Sequence, residues 1–223
     1  MNNPQTLRFT RRHLPHWIVA DATFFVTLRI AGSLPKIVVD ELTAERPSLL
    51  EETPHTDERY RDLLRRQFAR IETILDAQDS DTRHWLTAKG LPPIILENLP
   101  WLVDRGWNIH AAVVMGTHLH ALMRNTIGRN ASLREDMAHY KRFVAREVNR
   151  QLNRTGEFWA REDFDHWCRS PEKVAGAVRY IAQNPVKAGL VTHWHEWPWT
   201  VIAPAWQQTL GYVRSAPQSR TYR

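Results

Sequence analysis

A chain of 223 residues suits one well-packed domain better than two, and 43% hydrophobic residues with ten tryptophans exclude a disordered chain. The single cysteine excludes an internal disulfide and any cysteine-rich zinc module, and apolar runs such as Ala111 to Met115 are far too short to span a membrane. Lys and Arg outnumber Asp and Glu by 30 to 24, mostly through arginine, which makes nucleic acid the leading partner class ahead of an anionic membrane surface.

The first residues carry Arg8, Arg11 and Arg12 but no apolar signal-peptide core, so a cytoplasmic location is expected. A strand-like segment follows from Trp17 to Ile30, centred on the β-branched and aromatic run Phe24 to Leu28, and Gly32, Ser33 and Pro35 break it. Ile37 to Glu52 reads as a helix. Asp57 to Ala77 reads as a longer one, with Leu63, Leu64, Phe68, Ile71, Ile74 and Leu75 at helical spacing and Arg59, Arg61, Arg65, Arg66 and Arg70 on the other face. After a turn at Gly90 to Pro93, an apolar helix runs from Ile94 to Val103 and Gly106 stops it.

Trp107 to Met115 and His118 to Arg124 are two strand-like runs joined through Gly116 and Thr117. They read as a hairpin whose first turn residue takes a positive φ. Ser132 to Asn153 is a long amphipathic helix, with Ser132 and Glu135 spaced as a capping box. A short Trp/Phe segment pairs as a further strand. Pro171 opens a last helix through Tyr180 to Asn184, which Pro185 is expected to end. The order of elements predicts an α+β domain with helices covering an antiparallel sheet.

Two spacings carry chemistry. On a strand, alternate side chains share a face, so His118 and His120 project together and can bind one metal ion, or simply form a polar stripe. On a helix, residues four apart share a face, which aligns Tyr180 with Asn184. An Asn oxygen is a hard neutral ligand suited to Mg²⁺ or Mn²⁺ beside two imidazoles, with Gln183 as the competing candidate. Tyr180 read alone is equally a core tyrosine.

Four blocks in register resemble the REP-associated tyrosine transposases, a branch of the single-tyrosine HUH transposases related to insertion sequence 200. Leu14 to Trp17, Phe25 to Arg29 and Ser33 to Pro35 resemble the family's first-strand block. Val114 to His120 is similar to its His-hydrophobic-His block, and Phe158, Trp159 and Phe164 to His166 to the segment before the last helix. Tyr180 to Leu190 resembles the tyrosine block closely. Gly116 and Thr117 depart from the family's usual Pro-Asn.

The resemblance implies a ferredoxin-like or RNA-recognition-motif-like antiparallel sheet with packed helices. One HUH transposase domain would span 1–206, with a helical insertion at about 37–104 and a flexible tail at 207–223. It implies Tyr180 as nucleophile, His118, His120 and Asn184 as ligands of Mg²⁺ or Mn²⁺, and single-stranded DNA bearing a REP-like hairpin as partner. It further implies metal-dependent cleavage and strand transfer near REP palindromes through a 5′-phosphotyrosine; a non-catalytic hairpin-binding protein is the alternative. Relatives of this kind act as monomers or homodimers, with no membrane partner.

Tyrosine attack conserves the phosphodiester bond energy, so rejoining needs no ATP. Metal ligation requires unprotonated imidazoles, which places an acid limit on activity near pH ~6.5. His166 is a weaker candidate for the base. Arg29, Lys141, Arg142, Arg161, Arg169 and Lys187 lie near the matched blocks and are candidate DNA contacts. Trp107 and Trp159 are expected in the core, as is Trp17. Trp194, Trp197 and Trp199 are expected to pack on the sheet rather than stack on bases.

Overall fold

The computed structural model describes residues 6–11, 15–19, 22–42, 44, 58–76, 84–125, 132–161 and 163–211. Strands β1 (Thr6–Arg11) and β2 (Pro15–Val19) pair with each other as a separate two-stranded ribbon. The segment expected as one strand from Trp17 to Ile30 is therefore two, and the second half is β3 (Thr23–Arg29). After β3 come helix α1 (residues 36–42) and helix α2 (Glu58–Asp76). The rest of the helix expected to Glu52 lies outside the described residues.

The expected helix from Ile94 to Val103 is broken by a turn at Asn98. It follows the short α3 (Trp85–Ala88) and forms α4 (Pro92–Glu97) and α5 (Leu99–Asp104), each with proline in its first turn. A proline has no amide hydrogen to give a preceding turn, so Pro100 favours a fresh helix start over continuation. β4 (Trp107–Val114) and β5 (His118–Asn125) form the hairpin, closed by the Met115 amide on the His118 carbonyl at 2.8 Å. Gly116 does not take the expected positive φ.

Helix α6 (Leu133–Gln151) begins at Ser132, whose Oγ accepts the Glu135 amide. β6 (Phe164–Cys168) then leads to α7 (Pro171–Lys187), and β7 (Thr200–Ile202) precedes the short α8 (Pro204–Gln207). Residues 208–210 continue as a 3₁₀ turn, so the first part of the expected tail is ordered into helix; 212–223 lie outside the described residues.

The main sheet runs β6-β3-β5-β4-β7, and its strand pairs are antiparallel. Without β7, this is the fourth–first–third–second order of a ferredoxin-like split βαβ sheet, with β3, β4, β5 and β6 as its strands. The short Phe158–Cys168 stretch joins it as expected, through a bridge from Trp159 to Ile30 and the β6–β3 pairing.

Both faces of the sheet are covered, so β3 and β5 are buried nearly throughout. One face, with Phe24, Val26, Leu28, Leu119 and Ala121, packs on Met137, Tyr140, Val144 and Val148 of α6 and on α3 to α5. Trp107 and Trp159 are buried in this core, as expected. On the other face Phe25, Val113 and Leu122 meet Val178, Ile181 and Ala182 of α7, with Trp194 and Trp197 packed at the margin. A third, small cluster (Leu34, Val38, Leu42, Ile71 and Leu75) belongs to α1 and α2. Among the described residues no helix is long and apolar enough to cross a membrane.

Candidate metal and nucleophile centre

The register of β3 on β5 sets the centre. Thr27 lies opposite His120 and Arg29 opposite His118, so both histidines emerge on the α7 face beside Phe25. Their ring centroids are 4.6 Å apart. His120 Nδ1 meets Thr27 Oγ1 at 2.8 Å and His118 Nδ1 meets Thr117 Oγ1 at 3.1 Å. A hydroxyl on each Nδ1 leaves each Nε2 for another partner, the arrangement that orients metal-ligating imidazoles. Thr117, in the turn of the hairpin, thus supports His118.

Helix α7 brings Tyr180 to this point, with its ring 5.6 Å from that of His120, and carries Asn184 four residues on. Asn184 is buried, whereas Gln183 faces solvent. The helix does not stop at Pro185 but continues to Lys187. Its end is a Schellman motif, with the Gly189 amide on the Val186 carbonyl and the Leu190 amide on the Pro185 carbonyl, each at 2.9 Å. Gly189 takes φ +69°, which a side chain would resist. The stop signal is therefore Gly189, and Asn184 sits inside the helix rather than at a frayed end.

Sequence reasoning missed the third arm of the centre, Glu72 on α2. Its Oε2 lies 3.0 Å from His120 Nε2 and accepts a short hydrogen bond from the Tyr180 hydroxyl. The signal was present: Glu72 stands four residues after Phe68, which places a carboxylate on the apolar stripe of the helix instead of on its arginine face. The ligand atoms of Glu72, His118 and His120 all lie within 4.8 Å of one another.

The side chains around the histidines are buried, with His120 at 0%, His118 at 2%, Glu72 at 7% and Asn184 on α7 at 3% exposure, whereas Tyr180 is only partly buried. Glu72 Oε1 and His118 Nε2 are buried there with no hydrogen-bond partner, and so is Asn184 Oδ1 on α7. Such atoms cost about 1–3 kcal/mol each when left unsatisfied. Two imidazole nitrogens with hard oxygens are a donor set that fits Mg²⁺ or Mn²⁺, and partnerless atoms on both Glu72 and His118 in one buried cluster are what a cation would satisfy.

Burial alone would raise the Glu72 pKa, but His120, His118 and the Tyr180 hydrogen bond outweigh it and hold the carboxyl at about 2. Burial, reinforced by His120 and opposed by Glu72, pushes His118 down to about 3. At neutral pH the carboxylate is charged and His118 is neutral. The acid limit expected near pH ~6.5 for a free imidazole does not apply to His118.

The six candidate DNA contacts divide by position. Arg29 is paired with His118 across the sheet, and Lys187 Nζ lies 5.0 Å over the Tyr180 ring, so these two flank the centre. Lys141, on α6 and so beyond the opposite face, is half-buried and bonded to Asp163 and the Ala160 carbonyl. Arg142 donates to the Ala138 carbonyl, Arg161 pairs with Glu157, and Arg169 lies 4.8 Å over Trp167. The structure does not bring these four to the centre. His166 stacks on Phe25 at 5.3 Å and its Nε2 lies 3.8 Å from the Cys168 sulfur. Trp197 donates to the Val114 carbonyl, so the tryptophan cluster packs on the sheet as expected.

An α+β domain with a buried His-x-His, tyrosine and carboxylate centre is the class that fold and site define. No protein-family model matches the chain, and no curated protein matches it. Among solved structures the chain is similar to a REP-associated tyrosine transposase bound to a REP hairpin, with 18% identity and a TM-score of 0.48, over 86% of this chain and 80% of that one. At that level the likeness bears on neither activity nor site, and the chemistry rests on this chain's own residues.

Proposed function

We propose that the protein is a metal-dependent single-stranded DNA endonuclease and strand transferase that acts near REP-type palindromic hairpins, with Tyr180 as nucleophile. One observation carries the reading: the Tyr180 hydroxyl is bonded to a carboxylate that also meets the His-x-His pair, in a cluster where Glu72 Oε1 and His118 Nε2 are buried and partnerless. A core tyrosine has no need of such neighbours.

His118 and His120 would hold the metal through Nε2, with Asn184 Oδ1 completing the protein ligands. Glu72 is a further oxygen donor within reach. Bound there, Mg²⁺ or Mn²⁺ supplies charge neutralisation at the scissile phosphate and orients the phosphorus for in-line attack. Thr27 and Thr117 keep both imidazoles in the ligating orientation. The Tyr180 oxygen attacks phosphorus, the bond to the 3′ oxygen breaks, and that oxygen leaves as a hydroxyl. The 5′ phosphate stays on Tyr180 as a phosphodiester, which a second 3′-hydroxyl can attack in reverse. Lys187 and Arg29 flank the path with positive charge.

The test is a denaturing gel of the protein with a hairpin-bearing single-stranded oligonucleotide and Mg²⁺ or Mn²⁺. A covalent protein–DNA band that is absent in Tyr180→Phe is the expected result. Binding with no covalent band would favour a hairpin-binding protein without catalysis. Cleavage that survives Tyr180→Phe would leave the tyrosine a structural role.

A further inference from the structure

We propose that α2 is an autoinhibitory plug, in which Glu72 occupies the place the scissile phosphate must take. The inference rests on the reading of the centre as a strand-cleaving site. A phosphodiester attacked by Tyr180 and polarised at the histidines has to sit between the phenol oxygen and the two Nε2 atoms. That place is filled. Glu72 Oε2 takes the Tyr180 hydroxyl on one side and meets His120 Nε2 at 3.0 Å on the other. A carboxylate offers two oxygens and one negative charge, as the non-bridging oxygens of a phosphodiester do.

Burial makes the same point. A polynucleotide cannot reach a histidine pair exposed by 2% or less. The element above the pair is α2, which lays Phe68 against Phe164, Phe25 and Tyr180 at centroid distances of 4.8, 5.6 and 5.7 Å. Glu72 and Phe68 of α2 each contact both Tyr180 and His120, so a phosphate reaches the pair as α2 withdraws.

The helix is built to withdraw as a unit. Beyond Phe68, Ile71 and Leu75 pack with Leu34, Val38 and Leu42 in a cluster separate from both sheet cores, with Ile74 against it. Gln67 reaches the Leu42 carbonyl and Arg70 pairs with Glu41, so α1 and α2 are tied to each other. Movement of the pair unseats the Phe68 ring and the Glu72 carboxylate from the centre and leaves that small core intact. The incoming phosphate then replaces Glu72 at both Tyr180 and the metal ligands.

Two measurements test this. The first needs no DNA: in native-state hydrogen exchange, α2 amides are expected to exchange through an opening separate from that of β5 and α7. Exchange of α2 only as slowly as β5 would overturn the plug. The second is equilibrium binding of a hairpin oligonucleotide in EDTA, where no cleavage occurs. If the open form is about a tenth of the population, releasing the latch tightens apparent affinity by about tenfold. Glu72→Gln and Phe68→Ala are both expected to show this gain, while Glu97→Gln, an exposed control for lost charge, is not. Equal or weaker binding by both variants overturns the plug while leaving strand cleavage intact. No binding by any form sinks the DNA reading itself, and hydrogen exchange still decides whether α2 opens.

Discussion

The ammonium of Lys187 lies 5.0 Å from the centroid of the Tyr180 ring, one helical face beyond Asn184. A cation over a phenol favours the phenolate character that grows as the oxygen attacks, by about 0.5–2 kcal/mol. Lys187→Met is expected to slow formation of the covalent adduct on the order of tenfold, since 1.36 kcal/mol is tenfold in rate. Metal affinity should be unchanged, because Lys187 offers nothing to the ligand set. Quench-flow on the covalent band, beside a Mn²⁺ titration, checks both halves.

Metal binding should also be visible as stability. A cation that satisfies His118 Nε2 and the buried oxygens binds the folded chain alone. At a hundred times its Kd it adds about 2.7 kcal/mol. For a chain of this size that is a rise in Tm of roughly 5–10 °C. The shift is expected with Mn²⁺ or Mg²⁺ and should vanish in His118→Ala.

Acid stability has a separate source. His166 is half-buried between Phe25 and Phe164, and burial lowers its pKa to about 4, with Asp165 opposing and Lys173 assisting. The unfolded chain takes up this proton near pH ~6.5 and the folded one does not, so folding loses up to about 1.4 kcal/mol per pH unit across that window. Stability from the neutral ring is complete above the unfolded pKa and is lost as pH falls toward the folded one. Urea melts from pH 7 to 4 are expected to show a flatter decline in His166→Phe than in the wild type.

Away from the centre, Asp136 is buried and accepts hydrogen bonds from Trp107 Nε1 at 2.9 Å and Arg105 Nε at 3.1 Å. Asp136→Ala strands a buried indole donor. It should cost about 3 kcal/mol in a urea melt. Adduct formation by the folded fraction should persist, since Asp136 belongs to the opposite face of the sheet.

How much of this was legible beforehand differs by element. Strand alternation alone put His118 and His120 on one face, and the four-residue spacing put Asn184 with Tyr180, because both follow from local geometry. Glu72 comes from a helix 46 residues before the histidines in the chain. No local period links it to them, and only tertiary packing reveals what its place on an apolar stripe means. Pro185 misled for a related reason. A proline costs one helical hydrogen bond, but the Schellman bonds around Gly189 and the burial of Asn184 and Pro185 hold the last turn in place. The four basic residues remote from the centre were chosen by nearness in sequence, which does not report the side of the sheet on which a side chain emerges.

The pairing of Thr27 with His120 has a consequence for how this chain can vary. Because side chains alternate, the centre depends on whether the offset between β3 and β5 is odd or even, and not on its size alone. A single residue added inside β5 just after His120, with the rest of the strand held in register, would turn both imidazoles into the core that holds Leu119 and take His120 away from Thr27. Two added residues would restore the facing and only displace the histidines along the strand. Lineages of this fold should therefore tolerate length changes in this hairpin by twos far better than by ones.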